Sequence, residues 1–302
     1  MRKFIISDIH GNGNIYYSIM NYLDNLNQKE DIILYINGDL IDRGYDSAEI
    51  LLDIKKRIES NTFQIEYLGG NHELLMYQEF ENRKQGINSY YNDWYDNGGS
   101  ITDDMLNEIL DYDKDKILKV VDFISNLKIY HKFSECINGK NIVLVHAACP
   151  INTKDECDLI IKDNNDKVEL STWTRENDPF IPFRCRIGDD NYFTIVGHTP
   201  NNNSYGYEYH INGNYLNIDG GCARYVCGYF EYNHVPLVEI NEGFLKILTF
   251  NNNNEIIYGN IFNGNKSIPI SEEELNKDRK LLNKEIKIKE LIKNEDGVVY
   301  YK

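Results

Sequence analysis

Lys3-Phe4-Ile5-Ile6-Ser7-Asp8-Ile9-His10-Gly11 is a short apolar run that ends in an acid, a histidine and a glycine. Its first part, Lys3 to Ser7, reads as a buried strand. Working outward, residues 15–26 carry apolar side chains at helical spacing, 31–37 is a second strand-like run, 47–58 a second helix and 63–68 a third strand. Strand, helix, strand at this rhythm predicts βαβ units, a largely parallel sheet and an α/β fold. Each strand runs into a polar motif: Asp8-Ile9-His10-Gly11, then Gly38-Asp39-Leu40-Ile41-Asp42-Arg43-Gly44, then Gly70-Asn71-His72-Glu73. Ligands of such sheets bind beyond the carboxyl ends of the strands, so the motifs fall where the fold would place a site.

Two more motifs follow later strand-like runs: Val145-His146-Ala147-Ala148 after 141–145, and Gly197-His198-Thr199-Pro200 after 192–196. Further strands are expected at 215–218, 229–232 and 244–250, completing a second sheet packed on the first. Between the third and fourth motifs, residues 74–130 look mainly helical, broken near Asn97-Gly98-Gly99, and could cap one side of the site. The expected catalytic domain is 1–250. A C-terminal extension, 251–302, holds a helix over 272–294, because Ser271-Glu272-Glu273-Glu274 forms a capping box ahead of a stretch rich in Lys, Glu, Leu and Ile.

Bulk properties narrow the function. The chain has 302 residues and a net charge of −16, from 32 basic and 48 acidic side chains. Nucleic acids and anionic membranes need clusters of Lys and Arg, so neither is expected as a partner. An anionic substrate stays compatible, since bound cations reverse the local potential. The six cysteines form no CxxC pair, and no apolar run has the length of a secretory leader or of the roughly 20 residues of a membrane helix. Reduced thiols and a cytoplasmic location are the expectation.

The five motifs hold four of the seven histidines. Carboxylate and imidazole together suit a divalent transition metal. Asp8, His10 and Asp39 would hold a first ion. Asp39, whose carboxylate has two oxygens, would bridge to a second held by Asn71, His146 and His198. Two such ions sit about 3.5–4 Å apart, and a water between them loses a proton near neutral pH. That hydroxide would be the nucleophile. Arg43 is a permanently charged fork that matches phosphate oxygens, and Arg175, in Trp173-Thr174-Arg175, is a second candidate clamp. His72 could protonate a leaving alkoxide, and Asp42 could hold its ring in the useful orientation.

These segments, in this order, resemble the phosphoprotein phosphatase family of metallophosphoesterases from about Phe4 to Gly228. Asn97-Gly98-Gly99 and Ile218-Asp219-Gly220-Gly221-Cys222-Ala223 are similar to segments of its bacterial and phage branch, which includes protein Ser/Thr phosphatases and symmetrical diadenosine tetraphosphate hydrolases. The resemblance implies a calcineurin-like fold, a central two-sheet β-sandwich flanked by helices. It implies two divalent ions, Mn or else Fe or Zn. It also assigns the roles above to the matching positions, with Asn71, Arg43 and Arg175 touching the substrate phosphate. The expected activity is hydrolysis of phosphoserine or phosphothreonine monoesters in a phosphoprotein or small phosphorylated substrate, with dinucleoside tetraphosphate cleavage as the alternative. Ser7 departs from the family, where many members have Gly.

Overall fold

The computed structural model describes residues 1–87, 92–148, 159–175, 192–203, 206–229, 233–282, 291–293 and 299–301. The chain opens as β1 (Arg2–Ile6), α1 (Gly13–Asn27), β2 (Ile32–Asn37), α2 (Ser47–Ser60) and β3 (Gln64–Leu68), the expected alternation. Four helices follow: α3 (Asn71–Lys84), α4 (Asp93–Asp96), α5 (Gly99–Ile109) and α6 (Lys114–Ser125). Then come β4 (Tyr130–Ile137), β5 (Lys140–Val145), α7 (Asp166–Trp173), β6 (Tyr192–Val196), β7 (Asn201–Asn203), β8 (Gly206–Glu208), β9 (His210–Asn212), β10 (Tyr215–Asn217) and α8 (Cys222–Val226). The last part holds β11 (Val235–Asn241), β12 (Phe244–Asn251), β13 (Glu255–Phe262), β14 (Ser267–Pro269), α9 (Glu272–Arg279) and an antiparallel pair of β15 (Leu291–Lys293) with β16 (Val299–Tyr301).

Two sheets pack face to face. The larger has the order β14-β13-β12-β11-β1-β2-β3, and the smaller β4-β5-β6-β10-β9. In the larger sheet β1, β2 and β3 are parallel. In the smaller one β5, β6 and β10 are parallel. Side chains alternate across β1 and β2 as a pleat requires. Ile5 and Ile33 join Ile142, Leu144, Phe193 and Leu216 in the core between the sheets. Phe4, Ile6, Leu34 and Ile36 face the other way, into a core shared with the helices. Burying each such side chain contributes about 1.5–3 kcal/mol relative to exposure, and this two-sided burial explains why β2 reads as an unbroken apolar run.

The structure departs from the sequence-based expectation in several places. The strand beside β1 is β11, antiparallel to it, in a stretch where none was expected. Pro236 lies in that strand, and proline normally argues against a central one. It is tolerated here because β11 pairs with β1 only at Val238, Glu239 and Ile240. Tyr229 lies in a bend, and residues 230–232 of the strand expected at 229–232 lie outside the described residues. Past residue 250 two strands that were not expected, β13 and β14, extend the larger sheet, and α9 packs on it. The C-terminal helix is shorter than 272–294, since α9 ends at Arg279 and 291–293 is a strand.

Candidate metal and phosphate site

Six parallel strands, three from each sheet, end on one side of the molecule, and the loop after each contributes to one cleft. β1 delivers Asp8 and His10, β2 delivers Asp39, β3 delivers Asn71 and His72, β5 delivers His146, β6 delivers His198 and β10 delivers Asp219. The turns are abrupt. Asp8, His10, Asp39, Asp42, Arg43 and His198 all have φ between 45° and 73°. That left-handed conformation costs an L-residue roughly 1–2 kcal/mol and persists only where the surroundings impose it.

The surroundings are a set of buried brackets. Glu73 accepts from the backbone N–H groups of Asp39 (2.9 Å), Leu40 (3.1 Å) and Gly70 (2.8 Å) and from the Tyr67 hydroxyl (2.6 Å). One carboxylate thus ties the end of β2 to the start of α3. Asn37 joins the sheets: its Nδ2 donates to Val145 O at 3.1 Å, and its own carbonyl accepts from His146 Nδ1 at 2.7 Å.

The carbonyl contacts assign the histidine tautomers. His146 Nδ1–H donates to Asn37 O and His10 Nδ1–H to Ile41 O at 3.1 Å, leaving a lone pair on each Nε2. His198 is reversed, with Nε2–H on Trp173 O at 3.1 Å and the lone pair on Nδ1. These lone pairs meet oxygens. His146 Nε2 lies 3.3 Å from Asp39 Oδ1 and 3.2 Å from Asn71 Oδ1, and His198 Nδ1 lies 2.8 Å from Asn71 Oδ1. His10 Nε2 lies 3.4 Å from Asp39 Oδ2 and 3.2 Å from Arg43 Nη1, which donates to it. Acceptors converging on acceptors in a buried space require a cation or an added proton. The acidities respond accordingly. Burial pushes His146 down, but Asp39 outweighs it and raises the imidazole to about 10. Burial raises the Asp39 carboxyl, yet His146 and His72 carry it well below the usual carboxylate range. His198 is driven well below the usual imidazole range by burial and by the neighbouring His146 and Arg175.

Among the described residues, two groups have donor atoms all within 4.8 Å of one another: His10, Asp39 and His72, and Asp39, His146 and His198. Asp39 belongs to both, as a bridging ligand would, and the oxygen and nitrogen donors suit a divalent ion of the Mn, Fe or Zn type. Asp8 is in neither group. Its Oδ1 accepts from His198 N–H at 2.9 Å, and its Oδ2 is 2.5 Å from the Ser7 hydroxyl. Burial, then the nearby Asp219, pushes the Asp8 carboxyl well above its ordinary range. Ser7, the departure from the family pattern, thus occupies an oxygen of an expected ligand.

His72 Nδ1 donates to Asp42 Oδ2 at 2.7 Å, the expected pair. His72 Nε2 is buried and has no hydrogen-bond partner among the described residues, with Asp39 Oδ2 at 3.9 Å. The cleft outside has a volume of about 360 Å³; Arg43 and Arg175 line it, and so does Arg224. Arg175 Nη1 reaches Thr199 Oγ1 at 3.3 Å.

Four contributors were not assigned a role from the sequence. Asp219 is buried in the cleft wall, its carboxyl raised to about 6 mainly by burial. Asn37 ends a strand and carries no motif. Trp94 Nε1 donates to Asp42 Oδ2 at 2.8 Å, and Thr102 Oγ1 to Asp42 Oδ1 at 2.6 Å. The signals available were the Ile218-Asp219-Gly220-Gly221 segment and the Asn97-Gly98-Gly99 break between Trp94 and Thr102.

Comparison with known proteins gives the chain a family. Residues 1–228 match the pattern of the calcineurin-like phosphoesterases, and the chain belongs to that family. Phosphoesterases of this family use dinuclear metal sites, and the Asp39-centred donor groups could hold such ions here. Among curated proteins nothing matches. Among solved structures, a protein serine/threonine phosphatase from Saccharomyces cerevisiae similar to human PP5 is 14% identical, with 80% of this chain and 73% of that one covered and a TM-score of 0.49. A cold-active protein-tyrosine phosphatase of a psychrophilic Shewanella is 14% identical over 89% of this chain and 80% of its own, with a TM-score of 0.45. A putative diadenosine tetraphosphatase is 16% identical over 89% and 92%, with a TM-score of 0.42. No helix among the described residues is long and apolar enough to cross a membrane.

Proposed function

We propose that the chain hydrolyses phosphoserine and phosphothreonine monoesters with two divalent ions, Mn in the first instance, held by His10, Asp39, Asn71, His146 and His198, with Asp8 beside them. The observation that carries this reading is the Asp42–His72 pair beside a donor set centred on Asp39, with Arg43 and Arg175 lining the same cleft. Divalent ions there supply Lewis acidity, acidifying water and neutralising phosphate charge. Arg43 and Arg175 orient the phosphate oxygens, and Asn71, whose amide faces the same space, helps to place them. Asp42 takes the Nδ1–H of His72, which leaves Nε2 as the atom that holds the proton for the departing alkoxide.

Metal-loaded protein should release phosphate from phosphoserine peptides and from p-nitrophenyl phosphate. Inactivity on both with Mn, Fe and Zn would overturn the assignment. His72→Asn should keep its metal but lose about 10²–10⁴-fold with alkyl esters. Loss of metal in that variant would make His72 a ligand, as its place in the first donor group allows. One observation favours the dinucleoside tetraphosphate alternative: Arg224, its guanidinium 5.8 Å from the Tyr229 ring, puts a third cation and an exposed aromatic ring on the cleft. Rates on a phosphopeptide and on diadenosine tetraphosphate, measured side by side, separate the two.

A further inference from the structure

The helical insertion reaches under the site. Asp42 is fully buried, and its carboxylate takes three donors: Thr102 Oγ1 on Oδ1 at 2.6 Å, and Trp94 Nε1 (2.8 Å) and His72 Nδ1 (2.7 Å) on Oδ2. Thr102 Oγ1 also accepts from Asp42 N–H at 3.1 Å, so one hydroxyl holds both the backbone and the side chain of the same residue. The next amide, Arg43 N–H, donates to Gly98 O at 3.1 Å. Asp42 and Arg43 are therefore clasped by α4, α5 and the turn between them at the two positions where the backbone is left-handed, with φ of 73° and 72°.

The glycines of that turn fit the same purpose. A Cβ on Gly98, at φ +93°, would lie 2.8 Å from Arg43 Cγ, and one on Gly99 would lie 2.3 Å from Trp94 Cδ1 and Nε1. Side chains at either position would push away the arginine or the indole.

We propose that Trp94 and Thr102 are positioning residues that hold the Asp42 carboxylate, and through it the His72 ring, in the orientation proton delivery needs; the helical insertion thus acts on the site through Asp42 and is not only a cap. This rests on the phosphomonoesterase reading of the same site. A carboxylate with three directional donors cannot rotate without stranding a buried polar group, which costs about 1–3 kcal/mol. Its partner imidazole inherits that rigidity. Ring packing alone is the competing account of Trp94, whose ring lies 6.0 Å from that of Phe80. Trp94→Phe keeps an aromatic ring and removes only the N–H donor, while Thr102→Val keeps the shape and removes the hydroxyl.

The test uses the full chain, wild type and both variants, with metal content measured. On a series of aryl phosphates running from p-nitrophenyl to phenyl, each variant should lose about 10–100-fold with the poorest leaving group. With p-nitrophenyl phosphate each should stay within roughly 3-fold of wild type, because that anion leaves with little need of a proton. Thr102→Ser should restore the wild-type profile. In a His72→Asn background Trp94→Phe should add nothing, since residues acting as a unit are non-additive. Equal losses with every leaving group, or none, would overturn the proposal, and the Trp94 and Thr102 variants test it separately if one fails to fold. A readout independent of activity is the His72 Nδ1 proton of the metal-free protein, identified in proton NMR by its disappearance in His72→Asn. It should be protected from exchange in wild type and lost to exchange in both variants; unchanged protection refutes the proposal, even if wild type proves inactive on every ester and the phosphomonoesterase reading falls.

Discussion

Asp39 presents two oxygens, and each meets a different histidine. Oδ1 faces His146 Nε2 and accepts from His72 N–H at 3.1 Å, while Oδ2 faces His10 Nε2. Asp39→Asn replaces one of those oxygens with an N–H donor and removes the negative charge that offsets the cations. Metal retained after dialysis should fall by more than the roughly 10–100-fold in affinity that losing an outer support costs, and turnover should vanish. Full metal content with wild-type rates would exclude the bridging role. At this scale the sequence was informative because the residues named from it come in short motifs, where local spacing alone places Asp39, Asp42 and Arg43 in one loop. Trp94 and Thr102 escaped because they stand 52 and 60 residues from Asp42, and only the tertiary fold brings them to it. Asp8 was legible as a site residue, but its engagement by Ser7 depends on a side-chain rotation that no spacing rule contains.

At the scale of elements, the strand-end turns carry the site, and glycine matters where two of them touch. Gly38, at φ +79°, would bring a Cβ to 2.6 Å from Gly70 Cα and N and 2.7 Å from His146 Nδ1. Gly139, at φ +73°, has nothing within 4 Å of the same built atom. Gly139→Ala should therefore cost only the left-handed penalty, about 1–2 kcal/mol. Gly38→Ala should cost about 1–3 kcal/mol more from overpacking, and it should also lower metal content by moving His146. Urea unfolding of both variants measures the difference, and equal losses would mean that the β2 and β3 ends are not in contact as described. The parallel strands and first two helices were legible because their apolar periods agree with their burial. β11 was not, because Pro236 speaks against a central strand and its pairing to β1 begins only at Val238.

Across the whole molecule, buried phenol–carboxylate contacts tie distant elements together. Tyr16 in α1 donates to Asp53 in α2 at 2.6 Å, and Tyr67 in β3 donates to Glu73 in α3 at 2.6 Å. Tyr22 in α1 donates to Asp278 in α9 at 2.9 Å, where Lys246 of β12 also donates at 2.7 Å. The last contact ties α9 to the domain through Tyr22, a partner that no pattern local to residues 272–294 could name. Burial first, and the adjacent carboxylate second, push all three phenols above their ordinary value. A folded-state value raised above the unfolded one, about 10 for tyrosine, contributes stability that is fully present below about pH 10. That stability is lost as pH rises through the higher folded values, because the unfolded chain releases these protons first. The protein should therefore unfold cooperatively in alkali, with the phenolate absorbance of these three groups appearing together with the loss of circular dichroism. Tyr16→Phe should move that transition to higher pH and cost little near neutrality, since Asp53 keeps Arg57 Nε at 2.8 Å. If all the phenols titrate before the secondary structure is lost, the three contacts are open to solvent and do not tie the elements together.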